Sequence, residues 1–319
     1  MLRCKLLNSF YLILYFKVIK TPKPLQKGDK IAIVSPAGIP VAAHVNAAAD
    51  ILRQQGYVVE IMPHALGKWG SYSGTDEERF SDLYDALTDP SVRAVLCGRG
   101  GYGVVHILDR LDKLPLSKDP KWIIGFSDIS ALHALMHKHE IKSVHASMCS
   151  HIRLGESDPD NKLLFDLLKG EQPNLFFKSS PYDRPGVADG KLIGGNLAVL
   201  ADLISTPYDL LLPDTILFIE DVAEPIYKIE RILYQLALNN VLPNLKGLIV
   251  GQFTEYEADH NYETMEDMIS EMVKPYNYPV AFNAPIGHVF HNSPVIEGAH
   301  VTLRVTADTE DYNSLIYWP

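Results

Sequence analysis

The chain has 319 residues, 47% of them apolar and 21% charged, with a formal net charge of −10. That balance suits one large or two medium globular domains and excludes disordered and collagen-like classes. It also argues against a nucleic-acid partner, since a phosphate backbone must be met by clustered Lys and Arg.

The N-terminus is read first. Met1 to Lys5 precede an apolar run from Leu6 to Phe16 that resembles the n- and h-regions of a secretory signal. No small-x-small cleavage site follows, Lys17 and Lys20 come at once, and the run is too short to span a bilayer. Residues 1–24 are therefore expected to be an N-terminal extension. Three cysteines, Cys4, Cys97 and Cys149, show no Cys-x-x-Cys spacing, so neither a disulfide framework nor a thiolate zinc site is indicated. A reducing, cytoplasmic location is expected, with export as the alternative if the apolar segment is cleaved. No other segment reads as membrane-spanning.

From 25 to 160 strands and helices alternate. Lys30 to Val34 is a buried-type strand ending in the turn Ser35-Pro36-Ala37-Gly38, followed by an alanine-rich helix over 41–55 that Gly56 ends. A strand at 57–61, a polar-faced helix at 76–87, a strand at 94–97, a helix at 104–111 and a strand at 121–125 follow. Continuous apolar strands alternating with helices predict an α/β domain with a parallel sheet covered on both faces, whose ligands sit at the carboxyl ends of strands. Residues 161–189, richer in Pro, Asp, Gly and Lys, read as a linker, and 190–319 as a second α/β domain. Its predicted elements are strands at 215–220, 247–251, 280–282 and 300–305, and helices at 226–238 and 265–273.

Four features carry chemistry. Trp122-Ile123-Ile124-Gly125-Phe126-Ser127-Asp128 is an apolar run that stops at a serine and passes straight into a helical pattern, as a strand-turn-helix corner with an exposed nucleophile should. Capping of that helix by Ser127 and Asp128 is the competing reading, and the second glycine of an α/β-hydrolase corner is replaced by Ile129. Gly98, Gly100 and Gly103 spell G-x-G-x-x-G, but after the third strand rather than the first, with Asp109, Asp112 and Asp119 poorly placed for a ribose. Exposed backbone N–H groups there suit an oxyanion hole, a nucleotide phosphate or a plain turn. Glu220 ends a strongly apolar strand, and His288 follows Gly287 just after another, which supplies an acid and a base beside a serine. Against these stands a metal reading of His133, His137, His139 and His145, in which the Glu of an H-E-x-x-H helix is missing.

Taken in order, Gly28-Asp29-Lys30-Ile31-Ala32-Ile33-Val34-Ser35-Pro36-Ala37, Arg99-Gly100-Gly101-Tyr102-Gly103, Gly125-Phe126-Ser127-Asp128, Gly194-Gly195-Asn196, Ile219-Glu220-Asp221-Val222 and Gly287-His288 resemble the LD-carboxypeptidase family. That family comprises the muramoyltetrapeptide carboxypeptidases and the related microcin C self-immunity peptidases. The likeness runs from Gly28 to Leu303. It implies a Ser127–His288–Glu220 triad, an oxyanion hole from the N–H groups of Gly101 and Asp128, no metal or cofactor, and a homodimer. Arg99 and Asn196 are the expected substrate contacts, Arg99 because a guanidinium holds a terminal carboxylate in two bonds. Asp221 and Glu224 compete with Glu220, and His291 with His288, as neighbouring candidates.

The resemblance implies a serine carboxypeptidase that removes the terminal D-alanine of murein tetrapeptides. Two alternatives stand beside it. One is an immunity-type peptidase cleaving an aminoacyl or peptidyl nucleotide conjugate, with Tyr227 or Trp69 as an aromatic platform. The other is a non-hydrolytic nucleotide-binding protein built on the glycine loop.

Overall fold

The computed structural model describes residues 19–172 and 174–318; the signal-like run and Cys4 lie outside them. Its strands, in chain order, are β1 (Lys30–Val34), β2 (Val58–Ile61), β3 (Val92–Cys97), β4 (Trp122–Gly125), β5 (Ser143–His145), β6 (Leu175–Lys178), β7 (Gly186–Asn196), β8 (Thr215–Val222), β9 (Gly247–Thr254), β10 (Val280–Ala281), β11 (Val295–Glu297), β12 (His300–Val305) and β13 (Tyr312–Tyr317).

These form two sheets, in the orders β11-β5-β4-β3-β1-β2 and β10-β9-β8-β7-β12-β13-β6. β1 to β5 run parallel, and β11 closes the first sheet antiparallel to β5. In the second, β7 to β10 are parallel, and β12, β13 and β6 are added antiparallel. The first sheet explains the unbroken apolar runs: all four residues of β4 and the last four of β1 are buried, which a strand covered by helices on both faces requires. Strand order reverses between β1 and β3, so the turn Ser35–Gly38 and the loop Gly98–Gly103 leave the sheet side by side. That is the crevice in which open α/β sheets hold ligands.

Helices cover the sheets by their apolar stripes. Ile226–Leu238 buries Ile226, Ile229, Leu233 and Leu236, a three- and four-residue spacing that puts one face inward. Asp76–Thr88 starts at a capping box of Thr75 and Glu78, and Met265–Val273 at one of Thr264 and Asp267. The helix expected over 104–111 is broken into a 3-10 turn, Val104–His106, and a short helix, Leu108–Leu111.

The expected linker at 161–189 needs correction. Helix Pro159–Leu168 begins there, capped by Asp158 with proline at its start, and buries Leu164, Phe165, Leu167 and Leu168. β6 follows and pairs with β13 at the far edge of the second sheet. The segment looked like a linker because polar residues open the helix and β6 alternates buried and exposed positions as an edge strand does. The chain also crosses back, since β11 from the C-terminal half pairs Glu297 with Ser143 and Val295 with His145. Both halves thus share packed cores. Phe165 is fully buried, so Phe165→Ala should cost about 3–5 kcal/mol, measured as a lower urea midpoint at constant m-value; a cost below about 1 kcal/mol would restore the linker reading.

Candidate active site

At the end of β4 the backbone turns sharply. Phe126 is extended at φ −152°, Ser127 takes φ +67°, and the 3-10 turn Ser127–Ile129 leads into helix Ser130–Lys138. A serine that merely caps a helix sits in the extended region and accepts a backbone N–H. Ser127 does neither: its backbone is left-handed, and among the described residues its hydroxyl accepts no backbone N–H. Asp128 is not a cap either, because its Oδ2 accepts the Val104 N–H at 3.0 Å. Burial pushes the Asp128 carboxyl up to about 6, against the pull of that bond and of the Arg79 and His106 charges.

The glycine loop is pressed onto this corner. A Cβ on Gly100 would stand 2.8 Å from Ser127 Cβ and 3.0 Å from its Oγ, so only glycine admits the approach. Gly101 continues at φ +113°, and the Gly38 N–H donates to the Gly100 carbonyl at 2.9 Å, tying the turn after β1 to the loop after β3. Arg79, fully buried, donates to the carbonyls of Pro36 (2.6 Å), Gly103 (2.8 Å) and Gly74 (3.2 Å) and so fastens both segments. Sequence reasoning missed Arg79. Its only signal was an arginine on the same helix stripe as Leu83 and Ala86.

The candidate acid and base, Glu220 and His288, lie at the second sheet. In the β7–β8 pairing Asn196 stands opposite Glu220. His288 Nδ1 lies 2.8 Å from Glu220 Oε2, and Glu220 is fully buried. With Nδ1 donating to the carboxylate, Nε2 is the basic nitrogen of the neutral ring. The loop reaches Glu220 through Gly287, at φ +129°, where a Cβ would come within 2.9 Å of Glu220 Cβ. Burial alone would lower the His288 pKa, but the hydrogen bond and charge of Glu220, with Asp221 and Glu255, outweigh it and raise the imidazole above its ordinary value. The Phe126 and His288 rings are 4.8 Å apart, so the residue before the serine packs on the base. No hydrogen bond joins Ser127 Oγ to His288 among the described residues.

The competing candidates have other engagements. Buried Asp221, its carboxyl pushed up to about 6 by burial, accepts the Asn196 amide at 2.8 Å and the Ala198 and Val222 N–H groups at 2.8 and 2.9 Å. Glu224 pairs with Lys228, and exposed His291 with Asp160. Asn196, expected as a substrate contact, is 4% exposed; its Oδ1 accepts Val199 N–H, its amide serves Asp221, and its N–H donates to Ser130 Oγ at 3.0 Å. It therefore joins helix Ser130–Lys138 to the second sheet. Arg99 is exposed, donates to the Ile39 carbonyl at 3.0 Å, and lines a cleft of about 300 Å³ with Val41, His44, Gly98, Met148 and Ser150. Trp69 stacks on Tyr72 at 6.1 Å, and Tyr72 contacts Tyr102 of the glycine loop at the same separation; Tyr227 lies instead under Arg231.

Of the four histidines weighed for a metal, His133 and His145 are neighbours, their ring centroids 6.3 Å apart. His139 bonds Asp112, and His133 bonds Ser143 and the Gly125 carbonyl. Among the described residues, metal-type ligand atoms group at His151, Asp158 and Asp160, within 4.8 Å of one another. Asp158 there caps helix Pro159–Leu168, and Asp160 holds His291 and Ser293, so these atoms already have partners.

The chain is similar to known proteins over most of its length. Residues 31–146 match the LD-carboxypeptidase N-terminal domain and 189–303 the LD-carboxypeptidase C-terminal domain. A protein of Bacillus subtilis described as a probable murein peptide carboxypeptidase is 30% identical over 92% of this chain and 94% of its own. The murein tetrapeptide carboxypeptidase of Pseudomonas aeruginosa is 29% identical over 82% and 89%. The crystal structure of muramoyltetrapeptide carboxypeptidase from Oxalobacter formigenes superposes with TM-score 0.80 at 26% identity, covering 91% of this chain and 99% of that one. A microcin C7 self-immunity protein solved with aspartyl sulfamoyl adenosine shares the fold at TM-score 0.79 and 20% identity, over 93% and 98% of the two chains.

The raised His288 pKa gives a pH prediction. The protonated ring's contribution to stability is complete below the ordinary histidine value and is lost as pH rises through the folded value; the neutral base appears over that same rise. The acid limb of kcat/KM should therefore have its midpoint above about 6.5. Glu220→Gln should move that midpoint down and lower the plateau. An unmoved midpoint in the variant would show that Glu220 does not act on the base.

Proposed function

The chain belongs to the LD-carboxypeptidase family, and from that premise we propose that it is a serine carboxypeptidase hydrolysing the L,D-peptide bond to the terminal D-alanine of murein tetrapeptides. The observation that carries the reading is the 2.8 Å pair of His288 and buried Glu220, packed through Phe126 against a serine held left-handed at a strand-helix corner.

In this mechanism His288 Nε2 takes the Ser127 proton while Oγ attacks the carbonyl of the diamino acid. Glu220 keeps the proton on Nδ1 and offsets the charge of the imidazolium. The N–H groups of Gly101 and Asp128 receive the oxyanion; both belong to segments fixed by Gly38, Arg79 and Asp128 itself, so they need no rearrangement as charge develops. His288 then gives its proton to the departing amine of D-alanine, and water, deprotonated by the same ring, hydrolyses the ester. Arg99 meets the terminal carboxylate from the neighbouring cleft. Asn196 acts by position, holding the Ser130 end of the helix to the sheet that carries Glu220.

We place the enzyme in the cytoplasm as a homodimer acting on recycled cell-wall fragments. The free, buried thiols of Cys97 and Cys149 suit that compartment, and among the described residues no helix is long and apolar enough to cross a membrane. A second reading keeps the same chemistry on an aminoacyl nucleotide conjugate, favoured by the Trp69–Tyr72–Tyr102 row beside the glycine loop, which offers a face to a base.

Incubation of the purified protein with a murein tetrapeptide ending in D-alanine, followed by mass spectrometry, tests the proposal. The unmodified chain should release one alanine, and Ser127→Ala should lose about ten-thousand-fold or more in kcat. An undiminished rate in that variant would overturn the mechanism, and an intact tetrapeptide with a cleaved aminoacyl sulfamoyl adenosine would favour the second reading. Arg99→Ala should raise KM about tenfold or more, with the smaller effect on kcat. Equal loss on a substrate amidated at its terminal carboxyl would remove Arg99 from that role.

A further inference from the structure

His133 is fully buried beneath the nucleophile corner and takes no part in the chemistry above. Its ring lies between two partners: Nδ1 is 2.9 Å from Ser143 Oγ on β5, and Nε2 is 2.9 Å from the Gly125 carbonyl at the end of β4. A carbonyl oxygen only accepts, so Nε2 carries the proton and Nδ1 accepts from the Ser143 hydroxyl. Burial, which outweighs the Gly125 bond, pushes the imidazole down to about 4 and keeps it neutral. A carboxyl on β11, that of Glu297, is 3.9 Å from Nε2; burial raises its pKa well above the ordinary value, which works against the negative charge that would draw a proton onto the ring.

Gly125 lies two residues before Ser127, and His133 belongs to helix Ser130–Lys138, into which the 3-10 turn at Ser127 leads. The imidazole therefore bridges the strand entering the corner and the helix leaving it. The Gly125 carbonyl also accepts the Ala146 N–H at 3.0 Å, so two donors fix its direction. A left-handed serine between those elements persists only where its surroundings over-determine it.

We propose that His133 is a positioning residue for the nucleophile: as the Nε2–H tautomer, with Ser143 selecting that tautomer, it clips the end of β4 to the helix and so sets where Ser127 Oγ stands. The inference rests on Ser127 being the nucleophile, as proposed above.

Two measurements on the full chain test it. Nitrogen-15 spectra of histidine-labelled protein, with the His133 signals identified by their absence in His133→Gln, should show a neutral ring protonated at Nε2 at pH 7. An Nδ1–H or doubly protonated ring would overturn the proposal, and this readout needs no turnover. In kinetics, His133→Leu should lower kcat about 10–100-fold with KM changed less than about twofold, because a small misplacement of the reacting atom acts on the chemical step. His133→Gln, whose amide reaches the same carbonyl, should recover most of that loss. Ser143→Ala, which removes one hydroxyl and leaves the clip, should lower kcat less than His133→Leu does. Equal losses in the Leu and Gln variants, or losses in KM alone, would reduce His133 to core packing. An unmodified chain that leaves tetrapeptide intact would count against the reaction itself, while the tautomer still decides the clip.

Discussion

One constrained turn organises the site. At Ser127 an L-residue is held at φ +67° between an extended Phe126 and a helix, a backbone state that costs about 1–2 kcal/mol over the right-handed one. The turn leaves Ser127 half-buried at the strand-helix corner, beyond the end of β4. Much of the N-terminal half reads as the means of holding it. Gly100 lies against the side chain, Asp128 anchors the start of the segment at Val104, and Arg79 fastens the carbonyls of Pro36 and Gly103. The buried guanidinium is compensated by those carbonyls and by an ion pair with Asp76, and its bonds hold the two turns together.

The second constraint is the seam between the sheets, where Ser127 and His288 come near one another through Phe126 although they belong to different halves of the chain. Glycine makes the close approaches. A Cβ at Gly195 would lie 2.6 Å from Ser130 Oγ, and one at Gly287 would meet Glu220. Hydrogen bonds then fix the distance: Asn196 N–H to Ser130 Oγ, Asn196 amide to Asp221, and His288 to Glu220. Asp160 of the N-terminal half also holds His291 and Ser293, in the loop that carries His288. Glu220 and His288 are therefore kept in place from both sides of the seam.

Some of this was legible in the residues and some was not. Helices 226–238 and 265–273 and strand 300–305 were read with the bounds the structure has, because their apolar spacing is set by their own local geometry. The segment from 161 to 189 was misread because β6 is stabilised only by a strand from the C-terminus, and β11 escaped notice because three residues carry no periodicity. In the site, a serine at the end of an apolar strand was visible as a corner or a cap. Choosing between them needed the backbone angle, which composition cannot report.

Residue type and local order thus determined the alternation of strands and helices, the corner at Ser127, the glycine loop, and a short set of acids and bases at strand ends. Only the tertiary structure decided which of them meet. Glu220, Asp221 and Glu224 are equivalent as letters, but one is buried within reach of His288, one is spent on Asn196 and the Ala198 and Val222 N–H groups, and one pairs with a lysine. The reason is physical: side-chain periodicity is a property of a few neighbouring residues, whereas a hydrogen bond across 68 positions of chain depends on the packing of two sheets.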